Sequence, residues 1–553
     1  MPARLLACLV LALTAAGAAL AQGRPVSQEQ FGALATVVAV GWWAVTYGLI
    51  FFMQSGFMLL EAGSVRAKNA AHIATKVLSH IGITIAVFYG LGFSIKAFGW
   101  PLAFVLRQWS THVPLAQVSD PVTMYAGWSK AGGGLWPWAF AATPDTYVWA
   151  FFGSLMFCLT SMAIPGTVFS ERFSFRAYLL FSVAYAGIIY PVFGWLIWGG
   201  MAGSPLLDPH SPLVLWLDRL FTPEVGSALG RRLLAYGMVP DASGRHFYAP
   251  YTDYAGSTGV HVLGGLTGLV GAVYVGARRG RFVDGRPRPL PGHNVPMAVL
   301  GALLLAFCWY GFNAGSVMAN YFNSPAGLGA GPRGLYLADF LYSDVWWVVV
   351  VTTLAASGGV LGSLLGNARF GKPDPLVIAN GLLGGLVAVC AGVGFVHPWW
   401  GFAIGLVAGL QFPFTARLVE RLGIDDAIGT IPCHTVSGLL GGLMAGIWGQ
   451  LFWSGRLPLS WVHPGATALG GSFIPTFAMQ VAGLVFLVAW ALPAGLVTFR
   501  LIDRLVGCRV SAREEEEGLD LALHGVKAYP ADSVGFELSL LAAPAPAPDR
   551  RLS

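Results

Sequence analysis

Long apolar stretches separated by short polar segments run through almost the whole of this chain. A membrane-spanning helix needs about 20 predominantly apolar residues, and by that criterion the sequence predicts eleven spans after its first 21 residues. We therefore expect an all-α polytopic membrane protein with eleven transmembrane helices. Their approximate cores are residues 36–60, 72–98, 147–168, 177–199, 253–277, 293–318, 341–366, 376–395, 398–419, 428–453 and 474–502.

Basic residues cluster in every second segment between the predicted spans. Lysine and arginine near span ends favour the cytoplasmic side, whereas the alternate segments are mixed or poor in charge. This pattern predicts an N-terminus outside and a C-terminus inside. The segments assigned to the inside carry Arg66 and Lys68; Arg172 and Arg176; Arg278, Arg279, Arg281, Arg286 and Arg288; Arg369 and Lys372; Arg417 and Arg421; and Arg500, Arg504, Arg509 and Arg513.

The composition narrows the class of protein further. Of the 553 residues, 56% are hydrophobic and only 10% are charged, whereas an ordinary soluble domain has about 25% charged residues. The net charge of +6 comes from short arginine clusters between apolar spans and not from one basic face. The sequence therefore indicates a lipid bilayer as a partner and argues against a nucleic-acid-binding surface.

The first 21 residues have the order of parts that is typical of a cleavable signal peptide. Arg4 is followed by an apolar run at 5–13, and the small residues Ala19 and Ala21 close the segment. An uncleaved first transmembrane helix is the alternative. The six cysteines show neither the spacing of a disulfide framework nor that of a zinc site.

The remaining chain divides by composition. Residues 22–505 form the predicted membrane domain, with long outer loops at 101–146 and 200–252. Residues 506–530 follow on the cytoplasmic side. The Ala/Pro-rich end, 531–553, is predicted to be a disordered tail.

One pattern, D-x2-G-x4-H-x3-G, occurs twice in the chain. Of eleven histidines, only those two follow an aspartate by eight residues. The copies begin predicted spans 5 and 10, and because five is odd they run in opposite directions through the bilayer. This indicates an inverted repeat of spans 1–5 and 6–10, with the eleventh span outside the symmetry. The copies are Asp253, Gly256, His261 and Gly265, and Asp426, Gly429, His434 and Gly438.

The spacing predicts a histidine pair in the middle of the membrane. If Asp253 and Asp426 stand at helix starts, each histidine lies about 12 Å inward at about 1.5 Å per residue, in a hydrocarbon core about 30 Å thick. Two charged imidazoles there would repel each other, so we expect His261 and His434 to be a neutral pair sharing a hydrogen bond. For the aspartates, a helix-capping role is favoured over direct ligand contact.

A neutral histidine pair offers one donor and one acceptor along an otherwise apolar path. For one isolated membrane histidine we would favour an ordinary interhelical hydrogen bond, but duplication at matched depth favours a pore. Such a path suits a small neutral polar molecule or a proton relay better than a metal ion. A cationic substrate would have to lose a proton before crossing.

Five ordered motifs resemble those of the ammonium transporter (Amt/Mep/Rh) family, over roughly residues 35–530. The Asn-Ala-Gly-Ser form at 313–316 and the C-terminal motif are similar to the Amt branch. The motifs are FFMQSGF at 51–57 with EAGSVRAKN at 61–69; DYAGST at 253–258 leading to His261; WYGFNAGS at 309–316; DDAIG at 425–429 leading to His434; and EGLD at 517–520 with His524-Gly525 and Ala528-Tyr529.

The resemblance implies a homotrimer in the cell membrane, with one pore through each subunit, that takes up ammonium and its analogue methylammonium. It implies recruitment of NH4+ at an outer site, loss of a proton, and passage of NH3 through an apolar pore past two histidines. By motif position it assigns His261 and His434 to the pore, Asp253 to the neighbourhood of the outer recruitment site, Trp198 and Ser316 to the outer cation site, and Phe157 and Phe312 to the gate. Trp309 is a further candidate pore residue, and Asp426, from the repeat itself, is the helix-start partner of Asp253. Aromatic faces and a hydroxyl can hold a small cation.

Some positions depart from the family pattern. The position four before Phe157 is often phenylalanine but is Gly153 here, and Cys390 and Cys433 stand where other small or apolar residues are common. Val526 replaces a usual glutamate, and the loop 200–252 is unusually long. These departures bear on the outer gate, the transport rate and the coupling of the C-terminus.

Two rival functions follow from the same residues. An ammonium sensor of the same fold would carry little flux and signal through residues 506–530, which the resemblance makes a regulatory segment and a candidate docking site for a PII-type signalling protein. A membrane enzyme using the two histidines and a metal ion is disfavoured, because no third ligand stands at a suitable spacing. No cofactor is expected.

Overall fold

The structure, a computed structural model, describes residues 28–98, 146–198, 239–240, 246–247, 251–323, 344–451 and 477–530. The predicted signal peptide, the loop 101–145, nearly all of the loop 200–252 and the predicted tail 531–553 lie outside the described residues.

Helices make up nearly all of the regular structure in the described part of the chain. Ten helical stretches among the described residues, counted together with the π and 3-10 turns that continue them, are long and apolar enough to cross a membrane, and one further helix is apolar but only 15 residues long. The expectation of an all-α polytopic membrane protein is confirmed, while the count of eleven spans and the sidedness of the termini stay predictions. The helices are α1 (Gln28–Ser64), α2 (Ala70–Val87), α3 (Phe93–Phe98), α4 (Thr146–Val168), α5 (Phe175–Ala184), α6 (Tyr190–Trp198), α7 (Leu263–Val275), α8 (Val295–Asn323), α9 (Trp346–Ala368), α10 (Pro375–Val389), α11 (Pro398–Arg421), α12 (Ser437–Leu451), α13 (Phe477–Val506), α14 (Ala512–Glu517) and α15 (Leu519–His524).

Several helices are joined or opened by wider π-helical turns, which are frequent at functional sites. Two of these turns connect α2 to α3 and α5 to α6, and two others open α7 and α12. A short 3-10 turn precedes α2. The π turns are Phe88–Gly92, Tyr185–Ile189, Ser257–Val262 and Ile431–Val436, and the 3-10 turn is Ala67–Asn69.

Two short antiparallel hairpins complete the described elements. The first pairs β1 (Val239–Pro240) with β2 (His246–Phe247). The second pairs β3 (Phe282–Val283) with β4 (Arg286–Pro287) across an Asp-Gly turn.

Glycines let the helices approach until their backbones touch, as is usual in membrane proteins. A Cβ placed on Gly409 of α11 would lie 2.0 Å from the carbonyl oxygen of Gly359 on α9. A Cβ on Gly301 of α8 would lie 2.2 Å from the backbone nitrogen of Leu60 on α1. Larger side chains at these two contacts would force the helix pairs apart.

The eighth predicted span, 376–395, differs from the structure because α10 ends at Val389. The buried residues 390–396 are not helical and pair with the segment that precedes α7: Ala255 N donates to Cys390 O at 2.9 Å, and Ala391 N donates to Ser257 Oγ at 2.7 Å. Non-helical backbone at membrane depth must find its hydrogen bonds inside the protein. The apolar composition of 390–396 gave no sign of this break.

The C-terminal segment packs on the start of α2. Asp520 accepts hydrogen bonds from the backbone nitrogens of Ala71 and His72 at 3.1 and 2.7 Å, so its carboxylate caps the free amides of that helix. Lys68 donates to the carbonyl oxygen of Glu515 at 2.8 Å. Residues 512–524 are therefore in direct contact with the second span.

Candidate functional site

The two aspartates of the repeat cap the helices that carry the histidines. Asp253 Oδ2 accepts from the backbone nitrogens of Thr258 and Gly259 at 3.1 and 2.7 Å. Asp426 accepts in the same way from the backbone nitrogens of Thr430 and Ile431, at 3.0 and 2.6 Å. Both carboxylates thus accept hydrogen bonds from backbone amides that the first helical turn leaves without a partner.

The glycine of the repeat makes this cap possible. Gly256 and Gly429 have φ angles of 96° and 83°, in the left-handed region that only glycine adopts at little cost. Each of them folds the chain back, so that an aspartate three residues earlier reaches amides that follow. The spacing D-x2-G is therefore a local structural device, present at both helix starts.

The two histidines of the repeat meet inside the protein. Nδ1 of His261 lies 3.2 Å from Nδ1 of His434, and the rings stack with centroids 5.2 Å apart. One Nδ1 must carry the hydrogen while the other accepts it. His261 has no solvent exposure, and its Nε2 has no hydrogen-bond partner among the described residues. The pair therefore has unused hydrogen-bonding capacity in a buried setting.

Aromatic rings extend from the histidine pair along one continuous line. Trp309 stacks on His261 with ring centroids 5.1 Å apart and an angle of 15° between the planes. Phe312, one turn further on α8, lies 5.6 Å from His261 and stacks on Phe157 of α4 at 4.4 Å. Trp198 meets Phe157 edge-on at 6.0 Å.

The line ends at the loop that carries Asp253. The indole nitrogen of Trp198 donates to the backbone oxygen of Asp253 at 2.8 Å. Asp253 is 5% exposed, and its Oδ1 has no hydrogen-bond partner in the described part of the chain. Ser316 lies one turn beyond Phe312 on α8 and donates to the carbonyl oxygen of that residue at 2.9 Å. The structure joins seven of the nine named residues by direct contact, with Ser316 attached through its own helix and Asp426 at the far helix start.

Three residues beside this line were not singled out from the sequence. Phe57 lies 6.2 Å from His434, centroid to centroid, and so extends the aromatic line past the histidines. The hydroxyl of Tyr47 fills the space beside Gly153, where an added Cβ would lie 2.5 Å from that oxygen. Cys390, named from the sequence only as a departure from the family pattern, places its Sγ 3.2 Å from the indole nitrogen of Trp309. None of the three contacts follows from spacing, because each joins residues far apart in sequence.

A buried ion cluster surrounds the second copy of the repeat. The Asp425 carboxylate receives two side-chain hydrogen bonds from Arg278, at 2.8 and 2.9 Å, and a third from its backbone nitrogen at 2.9 Å. Arg281 and Arg172 approach the same carboxylate at 3.3 and 3.7 Å. Burial alone would raise the pKa of Asp425, but the hydrogen bonds and charges of Arg278 and Arg172 hold it well below its usual value of 3.8.

The donor set does not suit a metal ion. Among the described residues, no group of three or more histidine, cysteine, aspartate or glutamate side chains could hold one. The histidine pair is instead walled by aromatic rings, and such a wall favours a weakly hydrated small molecule.

Comparison with known proteins gives one consistent result. A family model described as Ammonium Transporter Family matches residues 41–529. The chain is 34% identical to "Ammonium transporter Amt1" of Haloferax mediterranei, over 89% of this chain and 80% of that protein. It is 33% identical to "Ammonium transporter Amt2" of Methanocaldococcus jannaschii, over 88% and 90%. Among solved structures, "Sensor Amt Protein" superposes with a TM-score of 0.62 at 24% identity, covering 87% of this chain and 97% of that one.

Proposed function

Because this chain belongs to the ammonium transporter family, we propose that it takes up ammonium by recruiting NH4+ at an outer site, removing a proton, and passing NH3 past His261 and His434. The observation that carries this proposal is the continuous line of rings from Trp198 to the histidine pair.

The outer end of the line has the chemistry to attract a small cation. The faces of Trp198 and Phe157 supply cation–π attraction, and the buried Asp253 carboxylate lies behind Trp198. Its Oδ1 has no hydrogen-bond partner in the described part of the chain, whereas Oδ2 accepts from the backbone nitrogens of Thr258 and Gly259. These three groups would concentrate a monovalent cation at the entrance.

The next step selects the neutral form of the substrate. Phe157 and Phe312 stack at 4.4 Å, so a substrate passes only when the rings move, and it then loses its water. An ion that enters such a setting without compensation meets a large desolvation cost. NH3 avoids this cost because it crosses as an uncharged molecule, after NH4+ has given up a proton at the outer site.

The histidine pair then offers polar contact to a neutral molecule in an apolar path. His261 Nε2 is unpartnered among the described residues and stands ready to donate to or accept from NH3. Trp309 and Phe57 flank the pair on its two sides. If the released proton follows through a relay, the transport is electrogenic. The current measured per substrate carried therefore tests for such a relay.

Uptake of radiolabelled methylammonium and electrical current, measured together in proteoliposomes, tests the proposal. We expect His261→Ala and His434→Ala to change either the flux or the discrimination against potassium by about tenfold or more, the scale set by about 1.4 kcal/mol. Arg286→Gln, at an exposed residue of β4, is the control. Unchanged flux and unchanged discrimination in both histidine variants would overturn the proposal.

An ammonium sensor is the second candidate function. It is favoured by the contact of Asp520 and Glu515 with the start of α2, since this contact gives the C-terminal segment a direct link to a membrane span. Ammonium-dependent growth of a host that lacks its own transporters separates the two functions. A transporter restores growth, whereas a sensor with little flux does not.

The expectation that the chain is not an enzyme is confirmed by its membership of the ammonium transporter family. The homotrimer, the PII-type partner and the regulatory role of residues 506–530 stay predictions.

A further inference from the structure

The thiol of Cys390 stands at the junction of three chain segments beside the histidine pair. Its Sγ lies 3.2 Å from the indole nitrogen of Trp309 and 3.2 Å from Oδ1 of Asn313. Its own backbone oxygen accepts from Ala255 N at 2.9 Å, in the segment that carries Asp253. Cys390 has no solvent exposure. One side chain therefore contacts the pore face of α8 from the break that follows α10.

The direction of each hydrogen bond is determined by the groups present. An indole nitrogen can only donate, so Sγ accepts from Trp309. The single S–H is then left for Asn313 Oδ1 at 3.2 Å or for the carbonyl oxygen of Leu386 at 3.1 Å. The amide of Asn313 in turn donates to Thr352 Oγ1 at 2.9 Å. These bonds form a buried polar chain from α9 to the indole ring.

The indole ring is the end of that chain that faces the pore. Trp309 has no exposed surface and stacks on His261 at 15°, so the orientation of the indole sets the plane of the imidazole. That plane must be kept for His261 Nδ1 to face His434 Nδ1 at 3.2 Å. An indole N–H that has lost its acceptor would turn toward another acceptor, because a buried donor without a partner is unfavourable.

We propose that Cys390 is a positioning residue for the pore, whose thiol accepts the Trp309 N–H and so holds the indole flat against His261. This inference rests on the proposed function, since it concerns flux past His261. It assigns a role to a residue that the sequence marked only as unusual.

A matched pair of substitutions tests the thiol. Threonine and valine have nearly the same shape, but only threonine offers an oxygen that can accept the indole N–H and donate to Asn313. We expect Cys390→Thr to transport within about twofold of the parent protein, and Cys390→Val to lose about tenfold in methylammonium flux or in discrimination against potassium, because the N–H is left unpaired. Equal behaviour of the two variants would overturn the inference.

A Trp309→Phe background separates positioning of the indole ring from general packing around Cys390. Trp309→Phe keeps an aromatic ring but has no N–H, so in that background Cys390→Thr and Cys390→Val should transport equally. A difference that persists there would show that Cys390 acts by another route and would overturn the inference. Where Cys390→Val is not recovered as folded protein, Cys390→Ala replaces it in both backgrounds.

Cys308 provides the matched control, because it precedes Trp309 on α8 and is equally buried. A threonine at position 308 should confer no advantage over a valine there. His261→Ala and His434→Ala, in the same assay, separate failure of the proposed function from failure of this inference. If both histidine variants leave flux and discrimination unchanged, the proposed function fails and this inference with it; if they change them but the Cys390 pair behaves alike, only this inference fails.

Discussion

The two copies of D-x2-G-x4-H share their local geometry but not their surroundings. In both copies the aspartate caps the first turn and the glycine takes a left-handed φ. The residue before the aspartate differs: it is Thr252 in the first copy and Asp425 in the second. The same capping hydrogen bonds therefore place both histidines, and the flanking residues determine what each helix start faces.

The neighbours of the two flanking residues differ in charge. The backbone of Thr252 exchanges hydrogen bonds with the Gln480 side chain, at 2.8 and 2.7 Å. Asp425 is instead held by Arg278, Arg281 and Arg172. The flanking residue of the first copy is therefore uncharged and held by an amide side chain, whereas that of the second copy is an anion enclosed by three cations. The second copy anchors its helix start through ion pairs.

The largest expected effect on the free energy of unfolding comes from removing the carboxylate of Asp425, at the start of the second copy. Asp425→Ala leaves Arg172 buried without its carboxylate and Arg278 with only Glu171, at 3.6 Å, and removing one member of a buried ion pair costs about 3–5 kcal/mol. Thr252→Ala, at the matching position of the first copy, keeps its backbone bonds to Gln480 and should cost less than about 1 kcal/mol. Thermal unfolding of the detergent-solubilised protein measures both. A cost for Thr252→Ala as large as that for Asp425→Ala would refute the asymmetry.

An intermediate and equal effect is expected at the two glycines. Gly256→Ala and Gly429→Ala each place a side chain at positive φ, at a cost of about 1–2 kcal/mol. An added Cβ would also lie 2.8 Å from Val260 in the first copy and 2.8 Å from Phe412 in the second. The same unfolding assay should show similar losses. Gly423→Ala, at φ 74° with no atom within 4 Å of the added Cβ, isolates the backbone cost and should be milder than either.

The smallest effect is a dependence on pH that belongs to the second copy. Because the folded pKa of Asp425 lies below its usual 3.8, its stabilisation is complete above that value and is lost as the pH falls through the folded pKa. One such group changes the unfolding free energy by at most about 1.4 kcal/mol per pH unit. Unfolding midpoints measured from pH 5 down to pH 3 should therefore fall less steeply in Asp425→Asn than in the parent protein. Parallel curves would count against the role of Asp425.

Sequence patterns predicted the spans closely where a helix is regular. The predicted cores 147–168 and 398–419 match α4 and α11 to within two residues at each end. The end of α10 was missed because residues 390–396 are as apolar as the helix before them. Their conformation depends on pairing with the segment before α7, more than 130 positions away. Hydrophobic periodicity carries no information about such a partner.

The candidate site likewise contains a contact that spacing predicts and contacts that it does not. Spacing alone indicated that His261 and His434 would meet, because an inverted repeat sets both at equal depth, and the structure brings them together. Spacing could not predict the contact of the Cys390 thiol with a tryptophan 81 positions away, or that of Tyr47 with Gly153. A contact between distant segments depends on how whole helices pack, so a side chain's own sequence neighbourhood cannot reveal it.

By itself, the sequence determined the membrane class, the approximate spans and the capping chemistry of D-x2-G, and it predicted the inverted repeat. These properties arise from hydrophobic length and from hydrogen bonds within a few residues, which are local. Only the tertiary structure decided that Trp309 lies flat on His261, that the Cys390 thiol meets the indole, and that three arginines enclose Asp425. Those contacts exist because helices far apart in sequence are packed to backbone contact, and packing is a property of the whole fold.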